Sequence, residues 1–186
     1  EKFSQPVIFP SGQPPMKMLE QYMAYEKQMK ALELKENVLS ASGKQSELDA
    51  IVKRDSLGEL TEMEMWKVWN ARDSLKHIPQ ALPKFLLSVP VTLPYAVFMS
   101  ERYLKDWAPL SALDSLELLG YKFANRKYRQ YAIKQLNEQL QTDSEIEVFM
   151  LQLVQALKFE LYHDSALARF LLQRGIRSTH LLGHIL

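Results

Sequence analysis

The side chains best suited to hold a metal in this 186-residue chain are four histidines, His77, His163, His180 and His184. His180 and His184 stand at i and i+4, which puts two rings on one face of a helix. A zinc site needs a third ligand, and the acid that a metalloprotease carries between such a pair is missing from "HLLGH". His163 followed by Asp164 has the order of a metal phosphohydrolase dyad. That chemistry draws further His and Asp ligands from other helices, and few exist. Asp164 is equally placed to cap the helix of "SALARFLLQR", which accounts for the pair without catalysis. A metal hydrolase built on His163 and Asp164 is the weakest of three readings, and the sequence favours no metal.

Other chemistries lack their residues. No GxxxxGK[ST], GxGxxG or GxSxG occurs, and the kinase catalytic-loop and DFG signatures are absent. Cysteine is absent too, which excludes thiol catalysis, thiolate metal sites and a disulfide scaffold. Net charge is +1, so charge alone implies neither nucleic acid nor an anionic membrane. Arg126, Lys127, Arg129 and Lys134 cluster with Tyr128 and Tyr131 in "NRKYRQYAIK". Helical spacing assigns Tyr128, Ala132, Ile133 and Leu136 to a buried face and the cations to water, so no nucleic-acid partner is expected. "GELTEMEMW" is the opposite case, with Glu59, Glu62 and Glu64 at the mouth of a helix. One acid there compensates the helix dipole; three also offer a patch to a basic partner.

The elements that carry these residues are helical. Helices are expected near 16–38, 46–53, 62–74, 80–89, 94–106, 110–119, 125–140, 144–160, 165–174 and 178–186. Capping boxes are expected at Ser46/Asp49, Thr61/Glu64 and Ser144/Glu147, a cap at Asp164, and a stop at Gly175. Pro79 and Pro83 restrict where the "KFLLSV" helix begins. Leu19, Met23, Met29 and Leu32 give the long first helix an apolar side. Around "LQLVQALKF" only Gln152, Gln155 and Lys158 form a polar stripe, so that helix is expected to be packed on several sides. Ala166 and Ala168 let two helix axes approach closely. "QPVIFPSGQPP" is the exception, one short strand at Val7–Phe9 and a turn-rich linker. No apolar run approaches the ~20 residues that span a bilayer. Glu1 at one end and the apolar "LLGHIL" at the other read as an excised piece of a longer chain. The fold class is all-α, a superhelical stack of antiparallel helix pairs of HEAT or armadillo type, after a strand left from a preceding domain.

Four segments together resemble a known family: "RDSLGELTEMEMWKVW", "LPKFLLSV", "ALDSLELLGYKFANRKYRQYAIKQL" and above all "LQLVQALKFELYHDSALARFLLQRG" with the following "GH". They are similar to the helical (accessory, or PIK) domain of phosphoinositide 3-kinase catalytic subunits, class I more than class II or III. The match runs from about Leu48 to the end and implies residues 1–15 as the tail of a C2 domain with its linker and 46–186 as the helical domain; 16–45, a charged helix and linker by its own sequence, is matched to no counterpart in the family. It implies a scaffold without catalytic residues, holding C2 and kinase domains of the same chain in register. The parent would be cytoplasmic and recruited to the membrane surface. There it would use ATP and Mg, bound outside this segment, to phosphorylate the 3-hydroxyl of membrane phosphoinositides. Glu59 and Glu62 match the acids that meet an SH2 domain of a regulatory subunit in class I relatives. The remaining alternative is a free-standing helical-repeat adaptor that binds another protein in its groove.

Overall fold

A computed structural model of the chain describes residues 15–37, 44–54 and 58–178. Every regular element among them is helical: α1 (Met16–Asn37), α2 (Lys44–Lys53), α3 (Glu62–Asn70), α4 (Arg72–Leu75), α5 (Leu82–Leu87), α6 (Pro94–Asp106), α7 (Ala112–Glu117), α8 (Arg126–Gln139), α9 (Asp143–Ala156) and α10 (Ala166–Arg177). Single 3₁₀ turns lie at Pro79–Ala81 and Leu157–Phe159. The fold is all-α, as the periodicity requires. The Val7–Phe9 strand and residues 179–186, with His180 and His184, lie outside the described residues; Ser178 itself is extended. The described residues form two compact units, one within 7–108 and one within 109–186.

In the first unit, proline sets the helix starts. Pro79 opens the 3₁₀ turn, Pro83 sits in the first turn of α5 and Pro94 begins α6, where a missing N–H costs nothing. The 62–74 helix is broken at Ala71 into α3 and α4. Phe85 of α5 is fully buried between Trp69 of α3 and Trp107, with ring centroids 5.6 and 4.8 Å away. The long helix α1 docks through Tyr22 and Met29, both buried. The Trp69 indole N–H donates to Tyr22 Oη at 2.9 Å, and the Trp66 indole N–H donates to Glu33 Oε2 at 3.0 Å. These bonds select the inward side. Of the apolar residues expected to face in, Met29 does so and Leu19 is half-buried, whereas Met23 and Leu32 are exposed. Tyr22, which also packs on Tyr95 of α6, takes the place Met23 was expected to hold.

In the second unit, α8 packs on both α7 and α10. Tyr128, Ala132, Ile133 and Leu136 are buried as expected, but Arg129 is buried with them. The helix α9 buries Ile146, Met150, Leu153 and Ala156, while Val148 and Leu151 are 69% and 65% exposed. Among the described residues it is therefore packed along one side, not several: an apolar residue on a helix reports a buried position only where a neighbouring helix exists to cover it.

Three expected caps move. The helix α2 begins at Lys44, so Ser46 lies inside it and not at its cap. The box of α9 is Thr142/Glu145, two residues before Ser144/Glu147, because Glu145 also accepts from the Gln141 N–H. The cap of α10 is Ser165, whose hydroxyl accepts from the Ala168 N–H; Asp164 is instead held by a bidentate pair with Arg169. Gly175 does not stop α10, which runs to Arg177. The guanidinium of Arg174 donates to Asn137 Oδ1 and the Leu140 carbonyl, which ties down the turn a glycine would otherwise loosen.

Candidate functional site

The acidic cluster is organised by the start of α3. Thr61 is extended (φ −69°, ψ 161°), and its hydroxyl accepts from the Glu64 N–H at 3.2 Å. The Glu64 carboxylate accepts from the Thr61 N–H at 2.9 Å, which closes the reciprocal box that the spacing predicts. Arg54, just past α2, donates to the same carboxylate at 2.8 Å. The N–H of Thr61 holds the Glu64 carboxyl below the usual glutamate range; partial burial opposes this, and Arg54 adds to it. One of the three acids is thus committed to structure. Glu59 and Glu62 are exposed, and among the described residues neither side chain makes a hydrogen bond or ion pair. Two carboxylates are thereby presented to solvent beside a helix N-terminus that is fixed from within. The Arg54 partnership was not legible in the sequence, because it joins residues ten apart across a loop.

Thr61→Ala is expected to destabilise the protein by about 1 kcal/mol at neutral pH. A carboxyl whose folded pKa is depressed stabilises the protein fully above its unfolded value, and that contribution is lost as pH falls through the folded value. The gap between variant and parent in urea unfolding should therefore narrow on acidification below the ordinary glutamate range. A gap that is constant with pH would mean that Glu64 is not the residue completing the cap.

The other candidates are separated. His77 and His163 are exposed, and no three His, Asp or Glu side chains among the described residues gather as a metal set would. Gln152, Gln155 and Lys158 line an open groove of about 410 Å³ against Leu113, Leu116 and Glu117 of α7. Lys158 lies 4.8 Å over the ring of Phe159. Of the basic cluster, Arg126, Lys127 and Lys134 meet water. Arg129 does not: its guanidinium pairs with Glu160 at 2.8 Å and donates to the carbonyls of Leu119, Gly120, Phe123 and Ala156. Five acceptors outweigh the cost of taking one cation out of water.

The described residues are thus all-helical, with an acidic helix mouth at the start of α3. The comparison of sequences gives the class: residues 36–186 match the phosphoinositide 3-kinase family, accessory domain (PIK domain), and the chain belongs to that family. Among its relatives are three from Dictyostelium discoideum. Phosphatidylinositol 3-kinase 3 is 41% identical over 74% of this chain, phosphatidylinositol 3-kinase 1 is 34% identical over 99%, and phosphatidylinositol 3-kinase 2 is 39% identical over 74%. The chain spans only 7–11% of the length of those relatives.

Proposed function

We propose that this chain is a non-catalytic spacer within a phosphatidylinositol 3-kinase, holding a C2 domain and a lipid kinase domain in register. The match over 36–186 to the accessory domain is the observation that carries this reading. The parent would transfer the ATP γ-phosphate to the 3-hydroxyl of a membrane inositol lipid, working in the cytoplasm and at the membrane surface. The residues that hold ATP and Mg belong, on this reading, to parts of the parent outside this chain. Glu59 and Glu62 would meet the basic phosphotyrosine site of an SH2-containing regulatory subunit. A phosphotyrosine site is lined with cations, and two exposed carboxylates on a rigid helix mouth imitate part of its ligand. The contact would hold the kinase back, and a phosphotyrosine peptide would release it by competition.

Reversing both charges tests this. In the full-length parent bound to its regulatory subunit, Glu59→Lys with Glu62→Lys should raise basal lipid kinase activity several-fold and abolish further activation by a phosphotyrosine peptide. Activity without the subunit should not change. If basal activity in the complex stays as it was, the regulatory contact is wrong while the spacer role stands. Lipid kinase activity in the isolated 186-residue chain would sink the spacer role.

A further inference from the structure

The inward side of α1 is fixed by Tyr22 and Met29, and among the described residues no element covers its long outward side. That side has a regular spacing. Met16, Glu20, Met23, Lys27, Lys30 and Leu34 follow one another at alternate intervals of four and three, and all are exposed. Met16, Met23 and Leu34 are 73%, 59% and 69% exposed. Positions alternating by four and three share one helix face, the spacing of the a and d positions of a two-helix coiled coil, and here three of the six are apolar. A furrow of about 660 Å³ follows the second half of this seam, with Ala24 and Ala31 on its flank.

The order of residue types along the seam names the occupant. Antiparallel helices pair each a position with a d position of the other helix. Here the pairs symmetric about position 25 are Met16 with Leu34, Glu20 with Lys30, and Met23 with Lys27. Each is complementary: apolar with apolar, anion with cation, and a thioether with the aliphatic stem of a lysine. A surface that matches itself under a two-fold axis is an isologous interface. The small Ala24 lies near that axis, where the two backbones must approach.

We infer that the outward face of α1 is a self-complementary seam on which a second copy of this chain docks antiparallel, Glu20 of each copy facing Lys30 of the other. A membrane surface fits the seam less well, because an interfacial helix keeps its cations at the edges of an apolar face. Here Lys27 and Lys30 stand in the middle of the stripe. A generic acidic helix fits less well too, because Glu20 would repel it. With only Met and Leu as apolar layers, the association is weak and reversible. Within one copy, Lys30 sits 3.6 Å from Glu26, a loose pair that a facing carboxylate can share.

The test is analytical ultracentrifugation of the 186-residue chain across a wide concentration range at low salt. A reversible monomer–dimer equilibrium is expected. Glu20→Lys alone or Lys30→Glu alone places like charges together twice, by symmetry, and should raise the dimer Kd by roughly tenfold or more. The double variant Glu20→Lys with Lys30→Glu should restore the parent affinity. Melting curves check that each variant is folded. Because the chain has no cysteine, Ala24→Cys should cross-link to its counterpart under mild oxidation while Ala31→Cys, far from the axis, should not. A monomer at every concentration overturns the inference, as does a dimer indifferent to the single swaps, one not rescued by the double swap, or one in which both cysteine variants cross-link equally.

Discussion

Replacing Arg129 with alanine is expected to lower the unfolding free energy by about 3–5 kcal/mol, the usual cost of removing one member of a buried, hydrogen-bonded ion pair. Arg129 is 4% exposed. It joins three things that otherwise have no common anchor: the turn after α7, through the carbonyls of Leu119, Gly120 and Phe123; the end of α9, through the carbonyl of Ala156; and Glu160 beyond it. Its loss leaves a half-buried carboxylate without its cation and several carbonyls without their donor. Arg129→Lys should recover only about half of the stability, because a compact ammonium cannot serve a fan of acceptors that a planar fork reaches together. Urea unfolding followed by circular dichroism measures both. Hydrogen exchange should show the loosening first in the turn between α7 and α8 and at the end of α9. If Arg129→Lys were as stable as the parent, one acceptor would be carrying the site and the fan of bonds would be incidental.

Arg129 also shows where reading the sequence stopped. In "NRKYRQYAIK" it is one cation among four, and its position on the helix is adjacent to Tyr128, at the border of the buried face. Its burial depends on Glu160, thirty-one residues later, and on where two other helices end. Neither is visible as local pattern. The caps behave the same way on a smaller scale. Thr61/Glu64 is legible because no competing pair stands beside it. At the next box, Thr142/Glu145 and Ser144/Glu147 have identical spacing, and an extra bond from Gln141 decides between them. Asp164 and Ser165 are adjacent candidates, and Arg169 removes one of them. Helix positions survived well where proline fixed them, as in α6, which begins at Pro94 and ends at Asp106 as expected. Side orientation failed where an aromatic residue competed with an aliphatic one, as Tyr22 did with Met23 in α1.

The candidate patch follows the same division. Local chemistry singled out the acids, and local geometry then separated them: Glu64 is spent on the cap and on Arg54, while Glu59 and Glu62 are exposed. The helix they open is held at its mouth by the Thr61 box and Arg54, and from beneath by buried Trp66 and Trp69.

That dependence makes Phe85→Ala the second large effect. Phe85 is fully buried and stacked on Trp69 with planes 3° apart, and it meets Trp107 on its other side with planes 21° apart. Truncation removes a ring from the centre of a three-ring stack and leaves a cavity between two indoles too rigid to fill it. The expected loss is about 3–5 kcal/mol. Phe85→Leu, which keeps most of the volume but not the stacking, should cost about half as much. Near-ultraviolet circular dichroism should report the change directly, since the stack contains two of the three tryptophans of the chain. The same variant bears on the patch. With Trp69 stripped of its stacking partner, α3 keeps Trp66, Val68, the Trp69–Tyr22 bond and its cap but loses one side of its packing, so its amides should exchange faster while those of α8 keep their protection. If α3 stays as protected as before, the helix mouth is fixed by the Thr61 box and Arg54 without the aromatic stack.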